Sequence, residues 1–307
     1  MTEHPPPELS IVIVTWNSAA TIGPCLRALQ AHPPPVSHEI LVIDNASHDD
    51  TIAEVRSACP DAQIIANSDN RGLPAANNQG LLASRGKAVL ISNPDALVHE
   101  HAVASMLDVL DRHPRAACVI PMFVFEDGRR QATVGDLPTI GEALLGRQGA
   151  RFRTSAGAPG GTRGFWWHGW AHDEEREVGR GLEACYLVRA EAVADVGPQD
   201  ERFKLDWEGI DWMARIHEAG WEVWFTPRAV VTHLGGASIR QVPVRWAYRS
   251  HVGMYRYFAK RVPFAAKPGL AAAIALRGAI KVSLAAALRG RMYEAAHRSA
   301  ALDVDEA

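Results

Sequence analysis

The stretch that decides the fold is Val89-Leu90-Ile91-Ser92-Asn93-Pro94-Asp95. Its apolar first half is typical of a buried strand. Pro94 has no N–H group and disfavours a helical conformation at Asn93, so the strand ends there. Asp95 therefore follows the carboxyl end of a strand, which is the edge where open α/β sheets bind ligands. A single carboxylate there suits a hard divalent cation that also takes phosphate and water oxygens. The alternative is an Asp that caps the next helix.

Strands and helices alternate on the N-terminal side of this stretch. The pattern predicts strands at 9–15, 39–44, 62–66 and 87–92, with helices at 20–31, 48–58 and 73–85. This alternation indicates right-handed βαβ units and a parallel sheet. The second strand also ends in a carboxylate, that of Asp44.

The pattern is less regular after Asp95. Residues 126–180 show no periodicity, and a loop of that length is uncommon in a compact domain unless it is functional or mobile. It contains an aromatic cluster at 165–170. On either side of it, the sequence predicts helices at 99–112 and 190–195 and a third helix that ends near Ala219. It also predicts one or two strands at 116–125 and further strands at 181–188, 221–226 and 229–233.

Composition restricts the class of protein. The 307 residues carry a formal net charge of −3, which does not favour nucleic acid as a partner. The N-terminus lacks the features of a signal peptide, and no apolar run of about 18 residues predicts a spanning helix. The cysteines have neither metal nor redox spacing, which indicates buried thiols in a reducing compartment. We therefore predict a cytoplasmic protein, with peripheral attachment to the inner face of a membrane as an open alternative.

The C-terminal region has a different composition. Residues 243–300 are rich in Ala, Leu and Arg and predict helices broken near Pro263 and Pro268. Residues 269–290 are apolar on one face and carry interspersed cations, a pattern that suits an anionic membrane surface. The alternatives are packing on the core or a homodimer through these helices. We predict a main domain at 1–240, with halves at 9–125 and 180–240, and a helical extension at 241–307.

Several short motifs together carry a family resemblance. They lie at 10–17, 43–49, 70–80, 92–96, 183–189, 196–203, 219–221 and 231–238. In this order they resemble the inverting family-2 glycosyltransferases of the GT-A fold, in particular bacterial rhamnosyltransferase-like members. The resemblance implies an α/β protein with a Rossmann-like, mostly parallel central sheet flanked by helices. It also implies transfer of a sugar from a nucleotide-diphosphate sugar donor to a glycan or lipid-linked acceptor.

The same resemblance assigns roles to individual residues. Asp44 matches the carboxylate that contacts the base, although it could instead cap a helix. Asp95 matches the last acid of the metal motif Asp-x-Asp, whose first acid is Asn93 here, and with phosphate oxygens it can hold Mg²⁺ or Mn²⁺. His233 matches a histidine that can complete a Mn²⁺ site; the alternative for a lone histidine is a structural role. The expected donor-binding residues are Thr15, Asn17, Asp44, Asn70, Arg71, Asn77 and Asn93.

The catalytic base is where this sequence departs from the family pattern. An inverting transferase needs a group that takes the proton of the acceptor hydroxyl. The family's usual carboxylate position corresponds to Gly209. We predict Glu208 as the base, with Asp211 and Asp206 as alternates. Asp211 could instead serve the helix dipole and an i,i+4 pair with Arg215.

Aromatic side chains are expected on the acceptor side, because their faces suit the apolar faces of sugars. The predicted residues are Trp166, Trp167, Trp170 and Trp207; ordinary core packing of these aromatics is the alternative. Two other functional classes stay open. A nucleotidyltransferase is disfavoured by the absence of Lys and Arg at 15–24. A non-catalytic or weakly active sugar-nucleotide-binding protein is made plausible by Gly209.

Overall fold

The computed structural model describes residues 5–145, 167, 170–204, 206–234 and 243–287. The strands are β1 (Leu9–Thr15), β2 (His38–Asp44), β3 (Gln63–Ala66), β4 (Ala88–Ser92), β5 (Ala96–Val98), β6 (Ala116–Val124), β7 (Val134–Gly135), β8 (Arg176–Glu177), β9 (Arg180–Gly181), β10 (Cys185–Arg189) and β11 (Glu222–His233). The helices are α1 (Ala19–Ala31), α2 (Thr51–Ala58), α3 (Leu73–Ala83), α4 (Ala102–Arg112), α5 (Ile140–Leu145), α6 (Ala190–Val196), α7 (Glu208–Glu218), α8 (Pro243–Ala259) and α9 (Lys267–Ala287).

A nine-stranded sheet forms the centre of the molecule. Its order is β3-β2-β1-β4-β10-β6-β11-β5, and β8 pairs with β11. Strands β1 to β4 are mutually parallel, and β6 and β11 point the same way; β10, β5 and β8 run in the opposite direction. The predicted α/β class, with a mostly parallel central sheet flanked by helices, is confirmed.

Strand register aligns the ends of the parallel strands. Thr15, the last residue of β1, lies opposite Asp44, the last residue of β2. On the other side of β1, Ile13 lies opposite Ser92 at the end of β4. The polar residues that follow these three strands therefore meet at a single edge of the sheet.

Two hydrophobic clusters hold the elements around the sheet. The larger one is built on β1, β4, β6 and β10, whose apolar side chains are almost fully buried between α1, α3 and α4. The smaller one joins α7 to α8 and α9 through Ile210 on α7, Met254, Tyr257 and Phe258 on α8, and Leu270 and Ile274 on α9, with Trp207 packed among them. The C-terminal helices thus share a core with the segment that holds the predicted base. Within the described ranges, no helix is long and apolar enough to span a bilayer.

The structure contains β7, α5 and β8 within 126–180, where the sequence showed no periodicity, and it also differs from the expected strands at 222–233 and after Asp95. Residues 222–233 form one strand rather than two, because an irregularity in its pairing with β6 between Thr226 and Val230 accommodates Pro227. A three-residue strand, β5, follows Asp95 and pairs antiparallel with the end of β11. Such a short strand leaves no periodic signal in the sequence.

Gly80 provides a test of the packing of α3 on the sheet. A methyl group at this position would overlap Cγ1 of Val12 on β1. We expect Gly80→Ala to lower the free energy of unfolding, because overpacking costs about 1–3 kcal/mol while alanine adds about 1 kcal/mol of helix propensity. Urea unfolding measures the change. In a Val12→Ala background the same substitution should become neutral or stabilising; an equal loss in both backgrounds would contradict this packing.

Candidate active site

The ends of β1 and β2 are joined by hydrogen bonds to Asp44. Its carboxylate accepts hydrogen bonds from the Thr15 hydroxyl (2.9 Å), the Ser47 hydroxyl (2.6 Å) and the Ser47 N–H (3.0 Å). Asp44 is buried, with 2% of its surface exposed. These bonds fix the loop that follows β2, so the predicted base-contacting residue also shapes the wall of the site.

Asn17 and Asn45 fix the neighbouring loops. The Asn17 side-chain oxygen accepts a hydrogen bond from the His48 N–H (2.9 Å), and Asn17 has a left-handed backbone, with φ of 49°. The side-chain oxygen of Asn45 accepts from the Arg71 N–H (3.0 Å), and its amide donates to Asn70 (3.2 Å). Asn45 was not among the predicted site residues, although its position directly after Asp44 was the available signal.

Asn77 lies deeper than the other predicted donor residues. It is buried on α3 and donates a hydrogen bond to the side-chain oxygen of Gln199 (3.1 Å), and the side-chain N–H of Gln199 donates to the Tyr186 hydroxyl (2.9 Å). This chain of bonds ties α3 to β10. It favours a structural role for Asn77 as an alternative to donor binding, whereas Asn70 and Arg71 are exposed at the rim.

Asp95 and His233 are brought together by the pairing of β5 with β11. Ala96 lies opposite His233, and the Leu234 N–H donates to the Asp95 carbonyl (3.1 Å). The Asp95 Oδ1 and His233 Nε2 atoms are 3.8 Å apart. That distance is long for a hydrogen bond, but both atoms can reach one divalent cation through bonds of about 2.1 Å.

The two side chains would therefore supply part of a metal site. Both are 11% exposed, so a cation held there could still take other ligands. Within the described parts of the chain, no cluster of three or more His, Cys, Asp or Glu side chains could hold an ion by itself. Phosphate and water oxygens would have to complete the coordination, as is common for Mg²⁺.

A group of carboxylates lies next to this edge. The Asn93 N–H donates to the Ala184 carbonyl (2.7 Å), so Glu183 lies at the entrance to β10, beside the end of β4. Asp206 and Glu208 approach from the start of α7. Burial and the Asp206 charge raise the pKa of Glu208 to about 7, and burial raises that of Asp206. Burial and the charges of Glu208 and Asp206 raise the pKa of Glu183.

The turn before α7 has an unusual backbone. Asp206 and Trp207 both have positive φ angles, 71° and 73°, which is uncommon for residues other than glycine. The Asp206 carboxylate accepts hydrogen bonds from the Trp207 N–H (3.0 Å) and from the Ser250 hydroxyl on α8 (2.6 Å). These bonds hold Asp206 in place and stabilise the turn that starts α7.

Asp211 is enclosed by cations. Its carboxylate is fully buried and binds Lys260 (2.7 Å), Arg261 (3.1 Å) and, more distantly, Arg215 (3.4 Å). The expected i,i+4 pair with Arg215 is therefore present. The network favours a structural role for Asp211, which ties α7 to the end of α8.

The predicted acceptor-side tryptophans lie in the core where the structure describes them. Trp207 packs on Tyr257 and Phe258, and its indole N–H donates to Ser250 (3.3 Å). Trp170 packs edge-on against Trp167 and stands close to His172 and Phe225. All three tryptophans are at least 92% buried, which favours the core-packing alternative. Trp166 lies outside the described residues.

Comparison with known proteins defines the class. The model of the family described as "Glycosyl transferase family 2" matches residues 10–167, just over half of the chain. The chain belongs to this family and is a glycosyltransferase. It is 27% identical over 274 residues to an N-acetylglucosaminyl-diphospho-decaprenol L-rhamnosyltransferase from Mycobacterium tuberculosis, and the match covers 82% of this chain and 84% of that protein.

Solved structures show that the fold is that of the GT-A glycosyltransferases. One similar structure is a mannosyltransferase from Pyrobaculum calidifontis in complex with GDP-Man and Mn²⁺; the TM-score is 0.55 at 18% identity, covering 96% of this chain and 81% of that one. Another is GalNAc-T7 with UDP, GalNAc and Mn²⁺, with a TM-score of 0.55 at 16% identity, covering 90% and 55% of the two chains.

The ion-pair network predicts that Asp211 acts on stability. Asp211→Asn should lower the free energy of unfolding by about 1.5–3 kcal/mol, because it removes the buried charge that binds both Lys260 and Arg261, and hydrogen bonds to a charged group contribute about that much. Asp108→Asn is the control, since Asp108 pairs with Arg112 and Arg228 at the exposed surface and such pairs contribute at most about 1 kcal/mol. Urea unfolding of both variants measures the difference; equal losses would contradict the proposed role of the network.

Proposed function

We propose that this glycosyltransferase is an inverting, divalent-metal-dependent enzyme that uses a nucleotide-diphosphate sugar. The observation that carries the proposal is the pair formed by Asp95 and His233 at the carboxyl edge of the sheet. Mn²⁺ accompanies the nucleotide or nucleotide sugar in both similar structures, which supports the metal. When bound, Mg²⁺ or Mn²⁺ would neutralise negative charge on the diphosphate leaving group.

Donor binding is assigned to the loops that follow β1, β2 and β4. Asp44 would accept a hydrogen bond from the base, with Thr15 and Asn17 beside it, and Asn93 would face the sugar diphosphate. Arg71 is exposed at the rim and its backbone is fixed by Asn45, so its guanidinium is free to approach the diphosphate. Arg suits this role because its planar group binds phosphate oxygens in pairs. Asn70 and Asn77 would support this wall.

The chemistry requires a base on the opposite side of the donor. The acceptor hydroxyl attacks the anomeric carbon as a carboxylate takes its proton. Burial and the Asp206 charge raise the pKa of Glu208, at the start of α7, to about 7, and burial raises the pKa of Asp206; a pKa near neutrality suits a general base. Glu208 and Asp206 are therefore candidates for this base, whereas Asp211 is held by its cations.

The identity of the relative supports a particular substrate class. A match to an L-rhamnosyltransferase acting on N-acetylglucosaminyl-diphospho-decaprenol covers most of both chains. We therefore propose transfer of a deoxyhexose or hexose to a sugar carried on a polyprenyl diphosphate. Such an acceptor would be presented at the surface of a membrane.

The C-terminal helix has a surface suited to that location. Leu276, Ile280 and Leu284 are exposed and lie four residues apart, so they form one stripe along α9. Lys267 and Lys281 belong to the same helix. An apolar stripe with cations suits an anionic bilayer interface, where each cation contributes about 1 kcal/mol. We propose peripheral membrane attachment through α9; residues 288–300 of the predicted segment lie outside the described residues.

The metal role of Asp95 predicts a loss of donor binding. In a thermal-shift panel of UDP-, GDP- and dTDP-sugars, the true donor should stabilise the wild type by about 2.7 kcal/mol at 100 times its Kd, and only with Mg²⁺ or Mn²⁺. Asp95→Ala should lose this shift, because it removes one of two protein ligands, while its melting point without ligand stays near that of the wild type. Asp111→Ala, an exposed change on α4, is the control. Unchanged metal dependence in Asp95→Ala would rule out the assignment.

The exposed stripe predicts binding to vesicles. The wild type should float with phosphatidylcholine vesicles that contain cardiolipin, and less at high salt, because screening weakens the attraction of the cations. Replacing Leu276, Ile280 and Leu284 together with Asn should abolish flotation. The control is Leu82→Asn, which removes an exposed leucine from α3. Equal flotation of the triple variant and the wild type, or none of the wild type, would refute attachment through α9.

A further inference from the structure

The Glu183 carboxylate occupies the space that a side chain at position 209 would need. Gly209 lies in the first turn of α7, and a Cβ atom built on it would overlap the carboxylate of Glu183. The Gly209 N–H also donates a hydrogen bond to that carboxylate. The volume in which a side chain at 209 would begin is therefore already filled by a carboxylate from another part of the chain.

Glu183 enters this position from the sheet edge. It directly precedes Ala184, whose carbonyl accepts the Asn93 N–H, so it is anchored beside the end of β4 and close to the stretch that leads to Asp95. Glu183 is half-buried, whereas Glu208 is only 3% exposed. Of these two residues, Glu183 is the more exposed.

The surroundings of Glu183 raise the pKa of its carboxyl group above its usual value. Burial and the charges of Glu208 and Asp206 raise the pKa of Glu183, while Arg180 on β9 and the Gly209 N–H act in the opposite direction. Burial, and after it the charge of Glu183, raises the pKa of both Tyr186 and Cys118. A raised pKa makes a carboxylate a stronger base than in water.

We propose that Glu183 is the catalytic base of this enzyme, in place of the carboxylate that Gly209 lacks. This inference rests on the proposed inverting transfer. The Glu183 carboxylate takes the proton of the acceptor hydroxyl, and the acceptor oxygen forms a bond to the anomeric carbon. The bond from that carbon to the donor phosphate oxygen breaks, and its electron pair leaves with the nucleoside diphosphate. Glu208 is then a positioning residue, whose negative charge raises the basicity of Glu183.

A purely structural role for Glu183 is the competing explanation. Its hydrogen bond from the Gly209 N–H satisfies one of the donors at the start of α7, as a capping side chain does. Glu183→Gln separates the two roles, because the Gln side-chain oxygen still accepts that hydrogen bond but is no longer a base. A capping residue would tolerate this change, and a catalytic base would not.

The first experiment compares kcat/KM and its pH profile. The donor is the nucleotide sugar selected by thermal shift with Mn²⁺, and the acceptor probe is N-acetylglucosamine on a short polyprenyl diphosphate. Glu183→Gln should lower kcat about 100-fold or more and keep the donor-induced shift. Glu208→Gln should retain more activity and move the acidic limb to lower pH, since it removes a negative charge that raises the pKa of Glu183. Glu191→Gln, an exposed change on α6, is the control.

The second experiment moves the carboxylate. Gly209→Asp alone should destabilise the fold, because its side chain would overlap Glu183. Glu183→Gly alone should fold and lose transfer. The double variant Glu183→Gly/Gly209→Asp should fold, and its kcat for sugar transfer should be at least about tenfold higher than that of Glu183→Gly, since a positioned base contributes about 100-fold or more.

The outcomes separate this inference from the proposed function. A wild type that transfers sugar, together with a Glu183→Gln variant within threefold of it, overturns the role of Glu183 alone. An inactive Glu208→Gln beside an active Glu183→Gln assigns the base to Glu208. A wild type with no metal-dependent donor shift and no transfer overturns the proposed function and this inference together. If Glu183→Gln does not fold, the double variant Glu183→Gly/Gly209→Asp provides the test. Transfer activity recovered in the double variant supports the inference, and a double variant that folds but does not transfer sugar overturns it.

Discussion

The in-register parallel pairing of β1 with β2 and β4 is the constraint on which the site depends. It fixes Thr15 opposite Asp44 and brings the end of β4 beside both. Because side chains that follow parallel strands leave the sheet at the same edge, loops separated by up to 80 residues become neighbours. A register shift of one residue would also exchange the buried and exposed faces of these strands, so the apolar core and the polar edge are specified together.

The antiparallel strands add the second half of the site to this edge. β10 brings Glu183 beside Asn93, and β5 with β11 brings His233 beside Asp95. Both contacts depend on strands that run against the direction of the parallel set. The parallel half thus supplies the proposed nucleotide side, and the pairings made by the reversed strands β10 and β5 place Glu183 and the Asp95–His233 pair beside it.

The sequence was sufficient for the parallel half of the fold, because its apolar runs and its breakers at Pro94 and in the loops are local signals. The side chains that contact Asp95 and Asp211 were harder to predict from the sequence. His233 could be proposed from family resemblance, but its contact depends on β5, which is too short to show periodicity. The pair between Asp211 and Arg215 follows from helical spacing, whereas Lys260 and Arg261 lie about 50 residues away and have no local signal.

Glu183 illustrates a different limit of prediction from the sequence. A single Glu before a strand carries no pattern, and its importance appears only when the space above Gly209 is known. The glycine itself was the visible signal, because a residue without a side chain in the first turn of a helix leaves room for something else. Physical space, rather than residue type, connects the two positions.

The enclosure of Asp211 by Lys260 and Arg261 has a consequence for how the protein is made. A ribosome synthesises the chain from its N-terminus, so the parallel strands and their loops are available long before residue 261. The turn at 206–207 and the buried carboxylate behind it, however, lack Ser250 and both cations until α8 has emerged. The sheet edge that we propose binds the nucleotide can therefore form early in translation, while the turn before α7, which carries the proposed acceptor chemistry, is completed last.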